Sequence, residues 1–558
     1  MGQQQAFDPY YSHWADIAAR RVLTAHPDRR PIVVAAGITP SGVVHVGNFR
    51  EVMTVDLVAR ALRDQGTPVR FIYSWDDFDV FRKVPADAPE QALLSENLRR
   101  SVADVPDPYA GDQAGDQAGD QAGDPASPVP PADSYASHHI AVFEASLAPL
   151  GIQPEFIRQS RAYRAGRYAE GIRKALEQKD VIRAVLDQFR TEPLAASWLP
   201  LAGFCKGCGR DSIEFTWDGD WQVELDCRDC GVRTRVDLRE GGDVKLPWRI
   251  DWPMRWAFEG VCFEPGGKDH STAGGSYDTA KQIVGPVFGW LAPEYVPYDF
   301  VRIKGGGGKI SSSAGRAVTV ADCLEVYEPE MLRWIFASQR PNSEFQISFD
   351  ADVIKLYEDY DRAVANAHEV DDGGKNDKKR QVVRRTIELS RLVPGRIEPG
   401  TKPVRVPSFR PLSVTLQIYD GDIERTLAHH RETGEVANEA EAERLRVRAV
   451  RVWSWIENHA PEDFRYRIRE TPATEPLAGE PREVLARLVR ALEASPDCRE
   501  EDLVPHLKTM CEGTSLTAQD FYPYVYELLI SRPKGPKLTT LLSTMGAARA
   551  LPLLRAGL

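Results

Sequence analysis

The sequence predicts an α/β protein: a parallel α/β domain, split by an insertion that carries a cysteine quartet, then a largely α-helical C-terminal region. Three observations predict it. An apolar run, PIVVAAG (31–37), passes through a glycine-bearing loop into an amphipathic stretch and then a second β-type run, VRFIYSW (69–75). Strand, loop, helix, strand in that order opens a parallel sheet. Four of the eight cysteines form two CxxC pairs in the middle of the chain, and amphipathic helical patterns dominate after residue 346.

Each element has its own signal. Val46, Phe49, Val52, Met53, Leu57 and Ala61 recur at helical spacing, and Gly66 stands where that helix should stop. The second run ends in the acidic cluster Asp76, Asp77, Asp79. Residues 1–136 are read as the first half of the α/β domain. Within them, 111–132 hold a GDQA repeat and a proline-rich tail with too little large apolar surface to bury a core, and are expected to be a disordered surface insertion. Residues 137–245 are read as the connective insertion and 246–345 as the second half, with one helix over roughly 322–340. The remainder, 346–558, is read as helical: in REVLARLVRALEA (482–494), Val484, Leu485, Leu488, Val489 and Leu492 share one face.

Bulk properties limit the function classes. A chain of 558 residues needs several cores. A formal net charge of −12 argues against a generic nucleic-acid coat, without excluding a nucleic-acid ligand met by local basic patches. The polar, aromatic start does not resemble a signal peptide, Ala6 does not suit myristoylation, and no run approaches a membrane span. The expectation is a cytoplasmic enzyme with no membrane partner, monomeric by default.

Two loops carry candidate chemistry. In GITPSGVVHVGN (37–48) the chain leaves a strand and opens a helix, whose free N–H groups suit phosphate. His45 can donate to phosphate oxygens, and Gly47 lets a flat base approach the backbone. In KGGGGKISSS (304–313) a run of glycines precedes Lys309 and the hydroxyls of Ser311, Ser312 and Ser313. Such a loop can close over a polyphosphate, with Lys309 offsetting leaving-group charge, and it does not fit the Walker pattern. Taken singly, the first could be a plain strand–turn–helix connection and the second a flexible linker.

A third constellation is Cys205, Cys208, Cys227 and Cys230, with 18 residues between the pairs. Two CxxC knuckles at this spacing suit a tetrahedral four-thiolate Zn²⁺ site with no open position, hence a structural role. Reduced cysteines without metal, or a redox dithiol pair, are the alternatives. Lys378, Lys379, Arg380, Arg384, Arg385, Arg396, Lys402, Arg405 and Arg410 make a basic cluster, either a solvated face or a polynucleotide contact.

Together the two loops resemble the paired HIGH and KMSKS signatures of class I aminoacyl-tRNA synthetases. Asn48 ends the first, and Ser312 replaces the second lysine of the other. With SWDDFDVFRKVP (74–85), WRIDWPMRW (248–256), FEPGGKDH (263–270) and GGSYDTAKQI (274–283), the chain resembles the lysyl members of that class. The resemblance implies a Rossmann-like catalytic domain, an anticodon-reading helical domain, and substrates lysine, ATP with Mg²⁺, and tRNA(Lys). It implies ATP contacts from Thr39, Ser41, His45, Gly47, Asn48 and Lys309, with His45, Asn48, Lys309, Ser311, Ser312 and Ser313 serving catalysis. Gly37, Thr39, Trp248, Asp269 and His270 would form the amino-acid pocket. Asp76 and Asp79, at a strand end facing the same crevice, are offered as partners of an amino group, with Tyr277 or Tyr298 nearby in sequence, while Trp252 and Trp256 read as core. The rival readings are a glutamyl-type enzyme, whose pocket would need a cation, and a tRNA-binding paralogue that does not charge.

Overall fold

The structure, a computed structural model, describes residues 13–109, 133–305, 317–495 and 498–558. It divides into two compact units. One comprises Met1–Cys323, Pro329–Ile347 and Glu369–Pro399; the other comprises Leu324–Glu328, Ser348–His368 and Gly400–Leu558.

The first unit is mixed α/β. Helix α1 (Trp14–Ala25) precedes β1 (Ile32–Ile38), α2 (Val46–Asp64) and β2 (Val69–Trp75). β1 and β2 pair in parallel along their full length, from Ile32 opposite Val69 to Ile38 opposite Trp75. β3 (Glu155–Arg158) joins β2, and the strand Val261–Phe263 joins β1, giving a four-stranded parallel sheet. The apolar run of β1 is buried on both sides, as parallel strands under helices are. Trp252 and Trp256, from the helix Trp248–Glu259, pack against Val33, Ile72 and Val261 in that core. α2 stops at Asp64, and Gly66 follows in the left-handed region at φ +76°.

The expected boundary at residue 137 falls inside this fold, because β3 belongs to the central sheet. The inserted segment proper holds a three-stranded antiparallel sheet, Ile213–Trp217, Gln222–Cys227 and Arg233–Asp237. The helix expected over 322–340 is two, Val320–Leu324 and Pro329–Ala337, and the second opens on the proline, whose missing N–H suits a first turn.

The second unit is helical, as expected. Val484, Leu485, Leu488, Val489 and Leu492 are buried in its core with Phe521, Leu529 and Leu542. Arg448 is buried in it too, paired with Glu328 and Asp361, each at 2.6 Å. The boundary at 346 is interrupted, because residues 369–399 group with the first unit. Arg384 and Arg385, read as part of a surface cluster, are buried there: Arg385 pairs with Asp16 of α1 (2.8 Å) and Asp64 of α2 (2.7 Å), and Arg384 with Asp371 (2.9 Å). Both are buried and engaged, Arg385 by two carboxylates and Arg384 by Asp371 and the Glu369 carbonyl, which leaves little for a phosphate. Among the described residues no helix is long and apolar enough to cross a membrane. The GDQA repeat lies outside the described residues.

Candidate active site

A cleft of about 1030 Å³ opens where β1 and β2 end and α2 begins. Ligands of open parallel sheets sit at this edge because the loops that follow the strands converge there. Gly37, Thr39, Ser41, His45, Gly47 and Asn48 line it from the β1–α2 connection, Asp76 and Asp79 from the end of β2, and Trp248, Asp269 and His270 from segments some two hundred residues later. The described residues singled out in the sequence for nucleotide and amino-acid contacts therefore line one cleft, with Tyr298 but not Tyr277 beside them; the cysteine quartet stands outside it. Lys309, Ser311, Ser312 and Ser313 lie outside the described residues.

Local rules explain the first loop. His45 is the N-cap of α2 with an extended backbone, and Asn48, three residues on, accepts from the His45 N–H at 3.2 Å. This leaves the first turn of α2 at the cleft. Gly37 is required by close packing: a Cβ there would lie 2.8 Å from the Ser74 carbonyl oxygen of β2.

Asp76 and Asp79 already have partners. Arg255 donates to Asp76 at 2.8 Å and also pairs with Asp251 at 3.0 Å. Lys245 reaches Asp79 at 2.5 Å, and Thr39 Oγ1 donates to the same carboxylate at 2.9 Å. Burial pushes the Asp76 carboxyl up against the opposing pull of Arg255, while Lys245 overcomes burial and holds Asp79 below its ordinary value. Trp248 stacks on Trp252 at 5.1 Å, with His270 about 6 Å from both rings.

Glu51 escaped the sequence reading. It follows Gly47 and Asn48 by four and three positions on α2, so helical geometry turns it to the same cleft, which it lines. It accepts from the Gly37 N–H at 2.8 Å and from the Tyr298 hydroxyl at 2.6 Å. Both donors are neutral, and among the described residues no cation reaches its carboxylate. Burial pushes its pKa up to about 8, and the nearby carboxylates of Glu264 and Asp76 add to the rise. The one available signal was its helical phase relative to Asn48.

The cysteine quartet is assembled. All four Sγ atoms lie within 4.8 Å of one another, Cys205 to Cys230 at 3.5 Å and Cys208 to Cys227 at 3.7 Å. A zinc ion with four sulfurs at about 2.3 Å sets its tetrahedral edges at about 3.8 Å, so the quartet has the right size. The two knuckles repeat one another: Gly209 N–H donates to the Cys205 carbonyl and Gly231 N–H to that of Cys227, at 2.7 and 2.9 Å, each glycine with φ above +70°. Phe204, Ile213 and Phe215 of this segment also line the cleft.

Residues 12–392 match the family described as tRNA synthetases class I (K). The Lysine–tRNA ligase of Treponema pallidum (strain Nichols) is 39% identical over 542 residues, covering 96% of this chain and 97% of the relative. That of Borreliella burgdorferi is 40% identical over 544 residues, covering 96% and 98%. That of Thermococcus kodakarensis is 36% identical over 551 residues, covering 97% and 99%. Similarity that runs through both units, together with a first signature loop set at the ligand edge of a parallel sheet, leads to one assignment: the chain belongs to the class I (K) family of tRNA synthetases.

Proposed function

We propose that this chain is a lysine–tRNA ligase. Its relatives carry that name along their whole length, and the observation in the site that carries the choice of lysine is Glu51. A carboxylate facing the cleft with only neutral donors lacks one thing, a cation, and the lysine ammonium supplies it. Glutamate would need a cation where Glu51 stands; Lys245, which lines the cleft, is engaged by Asp79, and Arg82 and Lys83 line the cleft from the loop beyond Asp79. Trp248 offers an apolar wall for the methylenes.

In the first step a lysine carboxylate oxygen attacks the α-phosphorus of ATP, and the bond to pyrophosphate breaks. In the second, a hydroxyl of the terminal tRNA ribose attacks the lysyl carbonyl and AMP leaves. The protein positions and neutralises rather than bonding covalently. His45, with Thr39, Ser41, Gly47 and Asn48, meets the nucleotide at the start of α2; Lys309 and the hydroxyls of Ser311, Ser312 and Ser313 offset charge on the departing pyrophosphate. Gly37, Thr39, Trp248, Asp269 and His270 shape the amino-acid pocket around Glu51, while Asp76 and Asp79, already paired, hold Arg255 and Lys245 in place. Mg²⁺ arrives with ATP. Zn²⁺ on Cys205, Cys208, Cys227 and Cys230 shapes the inserted segment without touching the reaction. The second unit takes the anticodon end of tRNA(Lys). The surroundings are cytoplasmic.

The test is amino-acid-dependent ATP–pyrophosphate exchange, run for each proteinogenic amino acid with and without tRNA. Exchange is expected with lysine, and Lys309→Ala should lower it about a hundredfold, the usual consequence of deleting one charge stabiliser. Exchange with glutamate instead would overturn the pocket assignment. Silence with tRNA present would leave the non-charging paralogue.

A further inference from the structure

Arg50 follows the signature loop on α2 and is almost wholly buried, at 3% exposure. Its side-chain donors go to five main-chain carbonyls. They reach Asp299 and Phe300 at 2.9 and 3.2 Å, and Arg340, Pro341 and Ser343 at 2.9, 2.7 and 2.8 Å. Its guanidinium also lies 4.9 Å from the centre of the Phe345 ring. A buried arginine is ordinarily matched to a carboxylate. Among the described residues this one is matched to main-chain carbonyls and an aromatic ring, and its fixed fork of donors reinforces two stretches of chain that the Asp299 N–H also joins by donating to the Pro341 carbonyl at 2.9 Å.

Those stretches matter for the cleft. Asp299 and Phe300 directly follow Tyr298, whose hydroxyl donates to Glu51. The turn at 340–343 leads into Phe345–Ile347, which pairs in parallel with Val301–Ile303. One side chain on α2 therefore ties the wall that faces its own neighbour Glu51 to the helix, adding to the main-chain bonds within that wall. Nearby, the Val46 N–H on the same helix donates to the Val318 carbonyl at 2.8 Å.

We propose that Arg50 is a positioning residue for amino-acid recognition, clasping the backbone beyond Tyr298 so that its hydroxyl stays over the Glu51 carboxylate. This rests on the reading that Glu51 receives the lysine ammonium. Arg50 touches no substrate and acts through Tyr298.

The experiment uses the full chain with Arg50→Met, Arg50→Lys, Tyr298→Phe and the two double variants, measured by lysine-dependent exchange. Arg50→Met is expected to raise KM for lysine about tenfold while kcat and KM for ATP stay within about threefold. Arg50→Lys, whose single ammonium cannot span five carbonyls, should move the same way by a smaller factor, and it keeps the test open if the methionine variant does not fold. In the double variants the effects should not multiply, because both substitutions loosen the same contact. Multiplying effects, an unmoved KM for lysine, or a fall in kcat with both KM values raised together would overturn the proposal and leave Arg50 a stabilising side chain. A wild type without lysine-dependent exchange would instead overturn the functional reading, and this inference with it.

Discussion

Glu51→Gln is expected to lower kcat/KM for lysine about a thousandfold while KM for ATP stays within about threefold, because truncating one side of a buried charge pair costs about 2–5 kcal/mol. Glutamine keeps the shape; its one oxygen can accept from the Gly37 N–H while its NH2 faces the Tyr298 hydroxyl, which can turn to accept, so the loss is mainly that of the charge. The wild type should also show a pH dependence that the variant lacks. Burial pushes the Glu51 pKa up to about 8 in the unliganded chain, so near neutrality the carboxyl holds a proton that lysine must displace. kcat/KM for lysine should therefore climb about tenfold per pH unit toward pH 8 and level off above it, until the substrate ammonium itself deprotonates near about 10.4. In Glu51→Gln that slope should vanish. The same shift acts on stability. A carboxyl whose folded pKa lies above its ordinary 4.5 contributes stability in full below 4.5, and that contribution is lost as pH rises through about 8. Thermal protection by lysine should accordingly be larger at pH 8 than at pH 6. A flat wild-type profile, or a glutamine variant with unchanged KM for lysine, would remove Glu51 from the pocket.

Cys227→Ser is expected to take the zinc content from one per chain to near zero and to open residues 203–244 to proteolysis. Metal binding by four thiolates is folding free energy, on the order of 10 kcal/mol or more for isolated zinc modules, and the three short strands of the insertion bury few large side chains without it. Phe204, Ile213 and Phe215 stand on that segment and line the cleft, so exchange activity should fall as well, without loss of the parallel sheet. Metal analysis and limited proteolysis of wild type and variant, purified under reducing conditions, decide the matter. A wild type that folds fully without zinc, or a serine variant that keeps one equivalent, would return the quartet to reduced cysteines packed together.

Much of the catalytic architecture is legible in short stretches of sequence. The β1–α2–β2 order follows from an apolar run, a 3.6-residue period and a second β-type run, each set by neighbours a few residues apart. The N-cap at His45 and the knuckles around Cys205 and Cys227 are local too, since a hydrogen bond across three residues depends on little else. Family resemblance added the later segments: Trp248, Asp269 and His270 stand far from His45 in the chain, and nothing in their own periodicity marks them as its neighbours.

Charge pairing was not legible. Asp76 and Asp79 looked available because their cations stand 179 and 166 residues away, at Arg255 and Lys245. Arg385 looked like part of a surface patch because its carboxylate on α1 stands 369 residues away. Composition and local spacing determined the first two strands of the sheet, the first loop, the pairing of the cysteines into two knuckles and the helical second unit. Only the tertiary structure decided which carboxyl group at the cleft is left without a cation and which arginine is spent on backbone. Periodicity records which face of an element is buried, whereas a charge is matched by whatever the completed fold brings within a few ångströms, and that is a long-range property of the chain.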